Sequence, residues 1–141
     1  MLKITHVEAL PDYRLRILLS NNKTIEPCVA EYIHSPGYEM LHETFEQAQV
    51  EEWGHSVEWP GDVGIPLTAL YRLDKEQSGK AYPVEAFNRW MEDNHLSAAA
   101  AAKALGLTRR TIIYYHTGAK PIPPVVGLAC EGYNARLKMA A

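Results

Sequence analysis

Apolar positions recur along this chain with two different periods. Leu2 to Ala9 mixes β-branched and apolar residues with polar ones, and Tyr13 to Leu19 alternates around Leu15, Ile17 and Leu19. Alternation puts every second side chain on one face of a strand. Pro11-Asp12 and Asn21-Asn22 suit the tight turns between such strands, and Lys23 to Pro27 follows as a short third one. The pattern predicts a three-strand antiparallel meander. Cys28 to Tyr38 shows no settled period and is broken by Pro36-Gly37. Leu41, Phe45 and Ala48 stand at spacings of four and three, which predicts a helical turn or two over 41–47. Val50 to Trp53 and Ser56 to Trp59 read as another strand pair around Gly54-His55, Pro60 to Pro66 as a loop, and Leu67 to Leu73 as a short closing helix.

Asp74 to Tyr82, DKEQSGKAY, is polar and aperiodic and reads as a linker. Beyond it the period is helical throughout. Pro83 suits a first helical position, followed by Val84, Phe87, Trp90 and Met91 on one face. Ser97 can cap a helix over Ala98–Leu105, a run made only of strong helix formers, and Gly106 can end it in the left-handed conformation. Thr108 can cap a second helix, Arg109 to Thr117, which Gly118 ends in the same way. Lys120-Pro121-Ile122-Pro123-Pro124 is a rigid connector into a fourth helix carrying Val125, Val126, Leu128 and Ala129. That helix is expected to end or break near Gly132, with 133–141 continuing it or fraying. The chain thus reads as an acidic α+β domain over 1–76, of antiparallel strands and short helices, and an all-α domain over 82–141.

Composition adds charge asymmetry to this picture. The total is -3, yet residues 1–80 carry 7 Lys+Arg against 13 Asp+Glu, and residues 81–141 carry 7 against 4. A basic helical half beside an acidic one suits a nucleic-acid contact confined to the C-terminal part. No run approaches the roughly 18 apolar residues of a membrane span, and Met1 to Leu10 lacks a signal-peptide pattern, so a cytoplasmic protein is expected. Cys28 and Cys130 stand in no metal or redox spacing and are expected to be reduced thiols.

The chemistry concentrates in Leu96–Gly118, LSAAAAAKALGLTRRTIIYYHTG. Helix, glycine turn, helix is the spacing of a DNA-reading helix-turn-helix, whose second helix points its N-terminal residues at base edges. Those residues are Arg109, Arg110 and Thr111, and arginine can donate two parallel hydrogen bonds to guanine. Adjacent arginines at a helix N-terminus oppose the helix dipole, a cost that a binding role would explain. Tyr114 and His116 are weaker candidates, and Lys120 suits a phosphate contact. Elsewhere, Glu51, Glu52, His55, Glu58 and Asp62 invite a metal or acid–base reading. They are more simply solvent-facing partners of Val50, Trp53 and Val57 across a turn. His6, His34, His42 and His95 fall in no ligand spacing, and there is no phosphate-binding glycine loop or nucleophile elbow. A binding protein without metal or cofactor is expected, rather than an enzyme.

Residues 83 to about 135 resemble the lambda-repressor-like family of helix-turn-helix domains. Leu96-Ser97, Ala102, Leu105-Gly106-Leu107, Thr108, Arg109, Thr111-Ile112 and Gly118 stand at that family's intervals, and PIPP followed by VVGLA looks like its next helix. The resemblance implies that Thr108, Arg109, Arg110, Thr111 and Tyr114 face DNA. It also implies a core of Ala101, Ala102, Leu105, Leu107, Ile112 and Tyr115. Many relatives carry glutamine two residues after the leucine, where it grips phosphate; this chain has Ala98. The runs YRLRILLSNNKTIEP and VEWPGDVGIPLTALY resemble a family of small bacterial domains of unknown function over residues 4 to 73, with Pro66 and Leu67 departing from the usual order. That similarity implies an α+β fold and no known catalytic residue. Together they imply a regulator that binds double-stranded DNA as a homodimer, its N-terminal domain serving dimerisation, ligand sensing or docking of a protein partner. The alternative is an antitoxin-like or adaptor protein whose helical domain binds a protein.

Overall fold

The alternating run at 13–19 forms the middle strand of a three-stranded antiparallel sheet of β1 (Ile4–Leu10), β2 (Arg14–Leu19) and β3 (Thr24–Ile25). Leu15, Ile17 and Leu19 of β2 are buried while Arg14, Arg16 and Leu18 face outward. The computed structural model describes residues 1–140 and divides into two units, Met1–Gln77 and a second beginning at Ser78. Among the described residues no helix is long and apolar enough to cross a membrane.

In the first unit, α1 (Ala30–Ile33), α2 (Leu41–Thr44) and a turn of 3-10 helix at Phe45–Gln47 lead to a second antiparallel sheet of β4 (Gln49–Val50), β5 (Ser56–Trp59) and β6 (Val63–Pro66). β6 corrects the loop expected over 60–66. Only Pro60 to Asp62 turns, with Gly61 and Asp62 in the left-handed region at φ 90° and 59°. Val63 and Ile65 then pair with Trp59 and Val57 and enter the core. Gly64 and Pro66 hide this strand from sequence reading, because β propensity is low at both and the pairing with β5 decides. The strand expected over 50–53 stops at Val50 instead. Glu51 folds the chain back, its carboxylate accepting from the backbone N–H groups of Trp53 (3.0 Å) and His55 (3.1 Å).

α3 (Leu67–Gln77) runs four residues past the expected end at Leu73, into the segment that reads as a linker. Its polar residues hold the sheet edge. The Asp74 carboxylate accepts from the Glu26 N–H at 3.1 Å, and the Gln77 amide accepts from the Cys28 N–H and donates to the Cys28 carbonyl, both at 2.8 Å. Gln77 therefore meets Cys28 as a neighbouring strand would, which satisfies backbone groups left open beyond β3. Leu67, Leu70 and Leu73 bury the other face of α3 on a core that includes Leu15, Ile17, Val57 and Ile65.

The second unit is helical: α4 (Val84–Asp93), α5 (Ala98–Leu105), α6 (Arg109–Thr117) and α7 (Pro124–Ala140). Pro83 precedes α4 as its N-cap, one position earlier than expected. Phe87, Trp90 and Met91 of α4 pack with Ala101, Ala102, Ile112, Tyr115, Ile122, Val126 and Cys130. Leu105 and Leu107 lie only half-buried at the rim of this core. The Tyr82 N–H donates to the Ile122 carbonyl at 2.7 Å, fastening the start of the unit to the proline-rich connector.

α7 departs most from expectation, continuing through Gly132 without a break. Its buried positions are Val126, Gly127 and Cys130, whereas Val125 and Leu128 are each 67% exposed. Gly127 is a packing residue. The Tyr82 ring lies against it and leaves no room for a Cβ.

Candidate nucleic-acid interface

α5 and α6 are set by their caps. Ser97 accepts from the Ala100 N–H, and Gly106 closes α5 at φ 71°, ψ 30°, with its N–H on the Ala102 carbonyl. Thr108 accepts from the Thr111 N–H at 3.1 Å, and Gly118 closes α6 at φ 79°, ψ 12°. The glycines suit these ends because left-handed backbone costs them little. Ile112 and Tyr115 fix the buried side of α6. A second fastening comes from α4: the Asn88 amide nitrogen donates to the His116 carbonyl at 3.1 Å, and its oxygen sits 2.7 Å from His116 Nδ1. With the Asn88 oxygen as acceptor, Nδ1 carries the proton.

This anchoring aims the polar residues of α6 outward. Arg110, Tyr114 and Thr117, spaced by four and three, fall opposite Ile112. Arg110 Nε donates to the Tyr114 hydroxyl at 2.8 Å, with its guanidinium carbon 5.6 Å from the ring centre. Lys120 arrives from beyond Gly118 and sets its ammonium 4.6 Å from the same ring centre. Tyr114 thus gathers two cations that the sequence separates by ten positions, and each gains from the negative face of the ring. Arg109, in the first turn of α6, is exposed, and its side chain has no hydrogen bond or ion pair among the described residues.

The six residues expected from sequence therefore sort into three kinds. Arg110, Tyr114 and Lys120 form one cluster, and Arg109 stands free in solvent beside the helix start. Thr108 and Thr111 face each other, their hydroxyl oxygens 2.9 Å apart. That pair is first a cap, with one hydroxyl donor and two acceptor sites left for outside partners. Ala98 is half-buried on the core and offers no side chain to a phosphate. Asn88 escapes sequence reading because it lies one helix away, 28 residues before its partner. No other signal marks it.

In the first unit the residues around Gly54 do not assemble into a ligand cluster. Glu51 is spent on the turn, and no group of three or more His, Cys, Asp or Glu among the described residues could hold a metal ion. A different juxtaposition appears beside α2, where the Tyr13 hydroxyl lies 3.3 Å from His42 Nδ1 and the His34 ring is 6.1 Å from that of His42. Tyr13 and His42 border a cavity of about 690 Å³ that Asp12, Glu43 and Glu46 also line.

This first unit coincides with a known family. A model described as "Protein of unknown function (DUF2442)" matches residues 4–76. The chain belongs to this family. Among solved structures it is similar to the crystal structure of Putative DNA Binding Protein NE0471 from Nitrosomonas europaea ATCC 19718, at 37% identity and a TM-score of 0.63. The alignment covers 96% of this chain and 88% of that one, so it takes in α4 to α7 as well as the family domain. A comparison with curated proteins finds no match.

Proposed function

We propose that this protein is a transcription regulator whose second unit is a lambda-repressor-like helix-turn-helix, with α6 reading duplex DNA in the major groove. The observation that carries the reading is the start of α6: two exposed arginines on a capped helix, anchored from behind by Ile112, Tyr115 and Asn88. Arg109, free of other partners, reads a base edge, since a bidentate arginine contact with guanine discriminates by about 1–3 kcal/mol. Arg110, held on Tyr114, reads or orients beside it. Lys120 neutralises a phosphate and adds affinity without sequence preference. The name of the Nitrosomonas relative, a putative DNA binding protein, supports the reading. The role is binding rather than catalysis, and the family domain serves dimerisation, ligand sensing or docking.

Selecting bound duplexes from a random pool at two salt concentrations tests this. Arg109→Ala is expected to weaken the selected duplex by about 1–3 kcal/mol and to relax the preference at one position. Lys120→Ala is expected to weaken all duplexes alike and to flatten the salt dependence by about one charge. Equal, salt-insensitive retention of random and selected duplexes by both variants would overturn the assignment. A stoichiometric protein partner recovered together with no duplex binding at low salt would instead make α6 a protein-binding helix.

A further inference from the structure

α7 has two apolar sides. Val126 and Cys130 lie in the core, while Val125, Leu128, Ala129, Gly132, Ala135 and Met139 stand in solvent. At about 100° per residue these six fall within roughly 60° either side of Gly132 and form a stripe that a single charged residue, Arg136, interrupts. Met139 is 87% exposed, and Val125 and Leu128 are each 67% exposed. A helix apolar on opposite sides is ordinarily covered on both. The core of the second unit covers one.

The stripe is symmetric about its own middle. Val125 and Met139 lie seven residues either side of Gly132 and Ala129 and Ala135 three, while the counterpart of Leu128 is Arg136, whose long apolar stem can cover it. An antiparallel copy turned about a twofold axis at Gly132 places each of these against its counterpart. Glycine weakens a helix interior, yet a Cβ added at Gly132 would meet nothing within 4 Å, so this chain alone gives no packing reason for it. A close backbone approach at the axis supplies one. Charge agrees, because Glu131 and Lys138 border the stripe on one side and antiparallel pairing directs each lysine toward the partner's Glu131. A hollow of about 300 Å³ beside Leu128, lined also by Tyr82, Pro124 and Gly127, is placed to take the flexible side chain of the partner's Met139.

We propose that a second copy of this chain covers the stripe, α7 packing antiparallel on α7 about a twofold axis through Gly132. The interface is isologous, the same patch serving both chains. One helix face offers fewer than the ~20–30 residues a side of a standard interface, so the free protein associates weakly. Two adjacent half-sites on DNA would strengthen the pair by holding both copies together. This deepens the DNA-binding reading, but self-association is measured without DNA.

Sedimentation equilibrium of the full chain, from micromolar to several hundred micromolar, is expected to show a concentration-dependent shift from monomer to dimer. Leu128→Glu is expected to stay monomeric throughout with an unchanged helical circular dichroism spectrum. In a Cys28→Ser background, Gly132→Cys is expected to give a disulfide-linked dimer on mild oxidation at least tenfold faster than Lys103→Cys, which lies on α5. A chain that stays monomeric throughout, or equal cross-linking at the two positions, would overturn the proposal. Titration with random-sequence duplex at low salt separates it from the functional reading. Dimerisation without duplex binding removes the reading and leaves the interface, whereas duplex binding by a strictly monomeric chain does the reverse.

Discussion

Tyr114 shows how one side chain can organise charges that the sequence keeps apart. Its hydroxyl holds Arg110 and its ring faces both Arg110 and Lys120. Tyr114→Phe keeps the ring and removes the hydrogen bond, so duplex affinity is expected to fall by about 0.5–1.5 kcal/mol. Tyr114→Ala also removes the cation–ring contacts and should cost about 0.5–1 kcal/mol more per cation. Fluorescence anisotropy with a labelled duplex measures both. Cys130 illustrates the opposite case, a residue whose chemistry is suppressed by its place. Burial, and then the Glu131 carboxylate, push its thiol from the ordinary 9.0 up to about 11. The folded state therefore favours the protonated thiol, and the resulting stability is complete below about pH 9 and lost as pH rises toward 11. The loss amounts to about 2–3 kcal/mol. Urea unfolding followed by far-ultraviolet circular dichroism is expected to show a shallower decline over this window for Cys130→Ala than for the natural sequence. In the folded protein an alkylating reagent should label half-buried Cys28 well before Cys130.

At the scale of elements, the ends of α5 and α6 are set by short-range devices. Thr108→Ala removes the hydroxyl that accepts from the Thr111 N–H and should destabilise the second unit by about 1 kcal/mol, while Thr108→Ser should retain most of the cap. Gly106→Ala meets no steric obstacle, since nothing lies within 4 Å of an added Cβ. Its cost is the left-handed backbone alone, about 1–2 kcal/mol. Denaturant titration reads these changes. Asn88→Ala has a different signature: α6 loses its fastening to α4 while its own caps survive. Hydrogen exchange at the C-terminal end of α6 should quicken while the protection of α5 is unchanged.

At the scale of the molecule, each unit has its own core, one drawn from residues 4–73 and the other from 87–130. Phe87 is fully buried at the centre of the second, with its ring 5.8 Å from Trp90 and 5.9 Å from Tyr115. Phe87→Ala is expected to destabilise that unit by about 3–5 kcal/mol through lost burial and the cavity left behind. Because the two cores share no residue, amide exchange should rise across 84–130 and stay unchanged across 4–73. Exchange rising equally in both would show that they unfold together.

Sequence alone carried what depends on near neighbours. Ser97, Gly106, Thr108 and Gly118 announce the ends of α5 and α6 because capping acts within one helical turn, and Leu15, Ile17 and Leu19 announce β2 because alternation is local. It also placed Arg109 and Arg110 at the first turn of α6. Tertiary structure decided whatever needed a partner distant in sequence. β6 exists because β5 pairs with it, and α3 outlasts its apolar period because Asp74 and Gln77 find Glu26 and Cys28 almost fifty residues back. Gly127 is a seat for Tyr82, and α7 runs on through Gly132, where a break was expected, with Val125 and Leu128 turned toward solvent. Local pattern fixes where a helix can begin and end, and only packing fixes which of its sides is covered.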